Sequence, residues 1–142
     1  MARLRKRLAH LAESLRYEEA ARLRDRIEAL EHVVDRLSRL ERLRRLEICV
    51  LAPAAEHGSQ AFFVCGGRIS AARLPSPPTR AEIADALGRT RSTSGQPGDT
   101  LTPEQAEDLL LVDGFVRRPT PELAVLPLEV ERIAAHLSGR RH

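Results

Sequence analysis

Two apolar series of helical period stand back to back at the start of this chain, and they leave it few ways to fold. Leu4, Leu8, Leu11 and Leu15 recur at steps of four, three and four residues. Ala20, Leu23, Ile27, Leu30, Val34 and Leu37 follow at steps alternating between three and four. Each series lines one face of a helix. The second is heptad-like, and Leu40, Leu43 and Leu46 prolong it with some drift. Arg16 falls outside both stripes, while Glu18 and Glu19 suit the positive N-terminal end of a new helix. A single short stripe cannot bury itself in water. The first helix is therefore expected to fold back on the second as an antiparallel hairpin over 1–46, turning near Tyr17 without Gly or Pro.

The character changes at Glu47. Ile48-Cys49-Val50-Leu51 and Gln60-Ala61-Phe62-Phe63-Val64-Cys65 are apolar runs separated by a turn-rich stretch from Pro53 to Ser59. Gly66-Gly67 is a two-residue hairpin signal of the mirror-image turn type, and Arg68–Arg73 completes a third strand. A three-stranded antiparallel meander is expected over 47–74. Pro75–Pro78 forms a stiff linker. Thr79 and Glu82 have capping-box spacing, and Thr102-Pro103-Glu104-Gln105 marks a second helix start. Short helices are expected near 79–87, 102–111 and 127–137, the last opened by Pro127, with a polar loop over 88–101. Asp113-Gly114 reads as a turn, and Phe115-Val116 and Ala124–Leu126 as short strands. The whole is an α+β chain, a helical hairpin followed over 47–142 by a small α+β domain.

Hydrophobic residues make up 42% and charged residues 30% of the chain, which places it among globular proteins. Aromatics are only 3% with no Trp, so the core must come from Leu, Val, Ile and Ala. No apolar stretch approaches the roughly 20 residues of a membrane span. The basic start MARLRKRLAH runs straight into a charged periodic helix, unlike a secretory signal. Two Cys in such a chain point to reduced thiols and a cytoplasmic location.

The net charge of +3 is unevenly placed, since residues 1–46 hold 13 basic and 8 acidic side chains. Arg3, Arg5, Lys6 and Arg7 make a basic start, and Arg36, Arg39, Arg42, Arg44 and Arg45 a basic end to the second helix. A solvated helix face is the plain reading of such runs, helped by the helix dipole and by pairs such as Glu41 with Arg45. The functional reading is non-specific contact with DNA phosphate by Arg3, Arg5, Lys6, Arg7, Arg42, Arg44 and Arg45. No aromatic residues are interleaved to stack on bases, which argues against single-strand reading. Cys49, His57 and Cys65 lack the tight spacing of a zinc site and read as two buried strand cysteines and a loop histidine. Gly66-Gly67 opens no phosphate loop, and no nucleophile elbow occurs. Neither metal nor cofactor is expected.

The run from Leu8 through Leu11-Ala12-Glu13-Ser14-Leu15-Arg16-Tyr17-Glu18-Glu19-Ala20-Ala21-Arg22-Leu23-Arg24-Asp25-Arg26-Ile27 closely resembles the UVR motif. Excinuclease subunits B and C (UvrB and UvrC) and several protease adaptors share that motif. Family members usually carry Met where Leu8 stands and Phe where Tyr17 stands. Gln60–Ile69 resembles the hairpin that follows the motif in UvrC, in Cho-like GIY-YIG nucleases and in actinobacterial fusions to a DEDD exonuclease. The resemblance implies docking to UvrB or another UVR hairpin in nucleotide excision repair. Leu8, Leu11, Tyr17, Ala20, Leu23 and Ile27 would then supply hairpin core or partner face, and Arg24 and Asp25 charge registry.

It also implies an accessory region without the cutting apparatus. A GIY-YIG domain needs a Tyr pair, and Tyr17 is the single Tyr here. The segment after Gly67 is too short for the RNase H-like domain of UvrC. Two other readings stand beside this one. The chain is an adaptor of a chaperone or protease system, although the zinc modules usual there are missing, or it is a self-associating hairpin that forms a homodimer.

Overall fold

The computed structural model describes residues 1–55, 58–96 and 98–139. The chain divides into two compact units, Met1–Arg39 and the chain from Leu40 onward. Among the described residues there are five helices and a four-stranded antiparallel sheet.

The first unit holds the hairpin, whose second helix ends a few residues inside the second unit. Helix α1 covers Ala2–Glu13 and helix α2 covers Tyr17–Leu43. The turn between them works without Gly because Leu15 itself takes the left-handed conformation, with φ 59°. Arg16 N–H donates to Leu11 C=O at 3.0 Å and Leu15 N–H to Ala12 C=O at 3.1 Å, the paired bonds of a Schellman cap. These bonds satisfy carbonyls that the end of α1 would otherwise leave free. Leu11, Ala20 and Ile27 are buried, and Leu4, Leu8 and Leu23 half-buried. An exposed Arg5–Glu31 ion pair places the start of α1 beside the middle of α2, as an antiparallel pair requires.

Leu15 is 70% exposed, so its side chain contributes little packing while its Cβ strains the backbone. A left-handed Leu costs roughly 1–2 kcal/mol. Leu15→Gly is expected to stabilise the hairpin by about 1 kcal/mol despite the larger entropy that Gly brings to the unfolded chain. A higher midpoint for the helical circular-dichroism transition checks this.

The second unit is built on strands β1 (Ile48–Pro53), β2 (Ser59–Cys65), β3 (Arg68–Leu74) and β4 (Ala124–Pro127), in spatial order β3-β2-β1-β4. The meander is present as expected, with Val50 opposite Phe62 and Phe62 opposite Ala71. Gly66 and Gly67, at φ 58° and 76°, form the tight turn between β2 and β3. Only glycine fits at Gly66, because a Cβ there would lie 2.6 Å from the carbonyl oxygen of Gly95.

Strand alternation sends side chains to two layers. Cys49, Leu51, Ala61, Phe63 and Cys65 pack with Ile83, Ala86 and Leu87 of helix α3 (Arg80–Thr93) and with Leu128 and Ile133, the latter on helix α5 (Val130–Gly139). On the other face Val64 packs with Leu43 and with Leu109 of helix α4 (Pro103–Arg117), flanked by Ile48 and Ile69. Both expected helix starts carry complete capping boxes, Thr79 with Glu82 and Thr102 with Gln105.

Several sequence expectations need correction. Phe115 and Val116 are not a strand, and Asp113-Gly114 is not a turn: all four continue α4. The Arg117–Asp113 ion pair at 3.1 Å spans that turn of helix, and local helical pairing outweighs the turn propensity of Asp-Gly. Residues 88–93, expected in a loop, extend α3. Hydroxyl residues in this stretch bond to the helix's own carbonyls, as Thr90 Oγ1 does to Ala86 C=O at 3.0 Å. Thr90 is buried and also meets Ser70 Oγ at 2.7 Å, so tertiary packing holds the extra turns. Pro127 ends β4 rather than opening a helix, and α5 starts three residues later.

Candidate functional site

The stripe of α2 is used by the hairpin along only half its length. Ala20 and Ile27 are buried and Leu23 half-buried, yet further along the same stripe Leu30 is 46%, Val34 51% and Leu37 60% exposed. The cause is a mismatch of length: α1 has 12 residues and α2 has 27. Arg5 lies beside Glu31 and α1 begins at Ala2, so residues past about 34 in α2 have no first-helix neighbour. Val33, 53% exposed, joins Leu30, Val34 and Leu37 to give the i, i+3, i+4, i+7 spacing of a helix-docking face.

The residues that the motif resemblance singled out separate into two sets. Leu11, Ala20 and Ile27 are buried, and Leu8 and Leu23 half-buried. Tyr17 is 64% exposed, and Arg24 and Asp25 are exposed and approach each other to 3.8 Å. The first set holds the hairpin together, while the second is open to solvent. Leu30, Leu37 and the two valines were not singled out. Periodicity did mark Leu30, Val34 and Leu37, but only the short α1 reveals that they stay uncovered.

The basic residues also divide. Arg3, Lys6 and Arg7 of α1 are exposed and make no ion pair among the described residues, whereas Arg5 is held by Glu31. Arg42, Arg44 and Arg45 belong to the second unit. Arg44 donates to the carbonyl of Asp99 and lies 3.9 Å from Glu41, and Arg45 donates to Glu41 at 3.3 Å. These bonds give Arg44 and Arg45 local structural partners, and Arg42 is exposed without one among the described residues.

Cys49 and Cys65 lie on the same buried face of the sheet. They are not directly opposite: Cys49 pairs with Phe63, two residues before Cys65. Burial pushes the Cys49 thiol up to about 12, which leaves it a poor nucleophile and a poor metal ligand. His57 lies outside the described residues. Among the described residues no three His, Cys, Asp or Glu side chains gather as a metal site would require, and no helix is long and apolar enough to cross a membrane.

Comparison with known proteins carries the motif further. The family model described as the UvrB/uvrC motif (UVR) matches residues 1–33. Over 98% of its length the chain is 30% identical to UvrABC system protein C of Wolinella succinogenes. The aligned region is 21% of that relative, so the chain spans about a fifth of the length of the curated protein it matches. No solved structure matches the chain. The resemblance read from Leu8–Ile27 is borne out, and it continues through the second unit.

Proposed function

We infer that this chain, a UvrC-like protein built on a UVR motif, serves nucleotide excision repair as a protein-interaction module rather than as a cutting domain. Its partner is UvrB or another protein bearing a UVR hairpin. The observation that carries this reading is the uncovered half of the α2 stripe, Leu30, Val33, Val34 and Leu37. A partner hairpin laid along it would continue the packing that α1 begins. Burying side chains already half-covered contributes on the order of 1 kcal/mol each, which suits a docking contact more than permanent assembly. Tyr17, Arg24 and Asp25 stand exposed on the motif and would set orientation at the rim, where charge acts mainly on specificity. Arg3, Lys6 and Arg7, without ion-pair partners among the described residues, would add non-specific contact with DNA phosphate once the complex is in place.

Calorimetric titration of the chain with purified UvrB tests the proposal. A saturable heat in the micromolar range, with a negative heat-capacity change from apolar burial, is expected. Absence of binding at tens of micromolar, on the order of −6 kcal/mol, would remove the proposed partner. A second copy of the chain is the other occupant that such a stripe admits. Sedimentation equilibrium of the chain alone separates the two, because a strict monomer excludes the homodimer.

A further inference from the structure

The second unit has an apolar trough of its own, formed within that unit between the sheet and α4. Val50, Phe62 and Ile69 floor it, and Leu111, Val112 and Phe115 form its wall, around a volume of about 560 Å³. Leu111 and Phe115 are well exposed, as is the outward edge of Phe62. The trough exists because α4 packs through Leu109 near Val64 and Ile69 and leaves the sheet beyond them bare.

Carboxylates border its α4 side, while Arg68 lines a neighbouring cavity together with Asp108. Glu104, Asp108, Leu111 and Phe115 follow one another at steps of four, three and four, so one line of α4 runs from carboxylates into the trough wall. Asp108 lines the trough itself. Glu104, Glu107 and Asp108 make no ion pair among the described residues, while Asp113 is bound to Arg117. The helix dipole accounts for Glu104 in the first turn, but its pull fades before Glu107 and Asp108. An apolar trough whose α4 side carries carboxylates without ion-pair partners among the described residues is ill suited to nucleic acid. It also disfavours a second copy docking through the same face, which would bring two acidic rows together.

We propose that this trough docks a basic amphipathic segment of a partner protein, its apolar side chains against Phe62, Leu111 and Phe115 and its Lys or Arg residues beside Glu107 and Asp108. The trough belongs to the second unit and the exposed α2 stripe to the first, and the two proposals stand or fall independently.

Two synthetic amphipathic peptides with the same leucine stripe, one flanked by Lys and the other by Glu, provide the probe. Fluorescence anisotropy with the full chain is expected to show binding of the Lys peptide and little of the Glu peptide. Leu111→Ser or Phe115→Ser, both at exposed positions, should weaken the Lys peptide by about tenfold or more with the melting temperature retained. Glu107→Lys combined with Asp108→Lys should reverse the preference between the peptides. Equal binding of both peptides would overturn the proposal, and so would indifference to Leu111→Ser. Loss of binding on Leu37→Asp with Leu111→Ser silent would place the peptide on the hairpin instead. Self-association abolished by Leu111→Ser would assign the trough to a second copy and equally overturn it.

Discussion

Leu37→Asp is expected to weaken docking to a UVR partner by about 100-fold, or roughly 2.7 kcal/mol, without altering the fold of the chain. In the free protein Leu37 is 60% exposed, so the substitution breaks little and costs only the lower helix propensity of Asp. In a complex the same position would be covered, and an unpaired carboxylate there would be stripped of water. Leu37→Ala removes apolar area without adding charge and is expected to cost only about tenfold. Ile27→Asp makes the contrasting control. Ile27 is buried in the hairpin, so its loss of binding would come with loss of helical signal. Circular dichroism beside calorimetry distinguishes a damaged surface from a damaged hairpin. Wild-type affinity in Leu37→Asp would show that the partner sits elsewhere.

Phe63→Ala is expected to destabilise the second unit by about 3–5 kcal/mol, a large part of the roughly 5–15 kcal/mol typical of a folded domain. Phe63 is fully buried in the middle of β2, between the α3 and α5 side chains and the flanking strands. Phe62, its immediate neighbour, points to the opposite face and is 37% exposed. Phe62→Ala is expected to cost less, about 1–2 kcal/mol, because only part of its side chain is withdrawn from water. Urea unfolding of the two variants compares them directly, and similar midpoints would contradict the assignment of the two faces.

Much of this architecture was legible because local chemistry and global fold agree. The capping boxes at Thr79 and Thr102 and the Gly66-Gly67 turn each have a residue-level cause and appear where that cause puts them, and the two leucine series do so except at Leu15, which lies in the turn after α1, and Leu46, which lies beyond α2. The hairpin turn was legible only indirectly. Nothing about Leu15 advertises a left-handed residue, and the break in apolar phase located it. What escaped was set by tertiary contact. Thr90 extends α3 by meeting Ser70 on strand β3, and a polar run such as Arg89–Thr93 carries no apolar period to reveal it. Ala124–Leu126 had the composition of a strand, but its pairing with β1 rather than a nearer segment depends on how the intervening helices lie. The uncovered stripe depends on a difference in length between two helices, which periodicity alone does not report.

The pairing of Val125 with Val50 also governs the order in which this molecule can assemble on the ribosome. Hairpin contacts are local and can form as soon as α2 emerges. The sheet, by contrast, waits for its last strand, because Ala124–Pro127 covers an edge of β1 and Leu128 and Ile133 complete the layer over Phe63. Until those residues are made, the nascent meander exposes unpaired strand backbone and an apolar face that α3 covers only in part, the features that recruit chaperones and invite aggregation. Slow, non-local closure of this kind makes the second unit depend on residues translated well after its meander, while α1 and α2 are ready first.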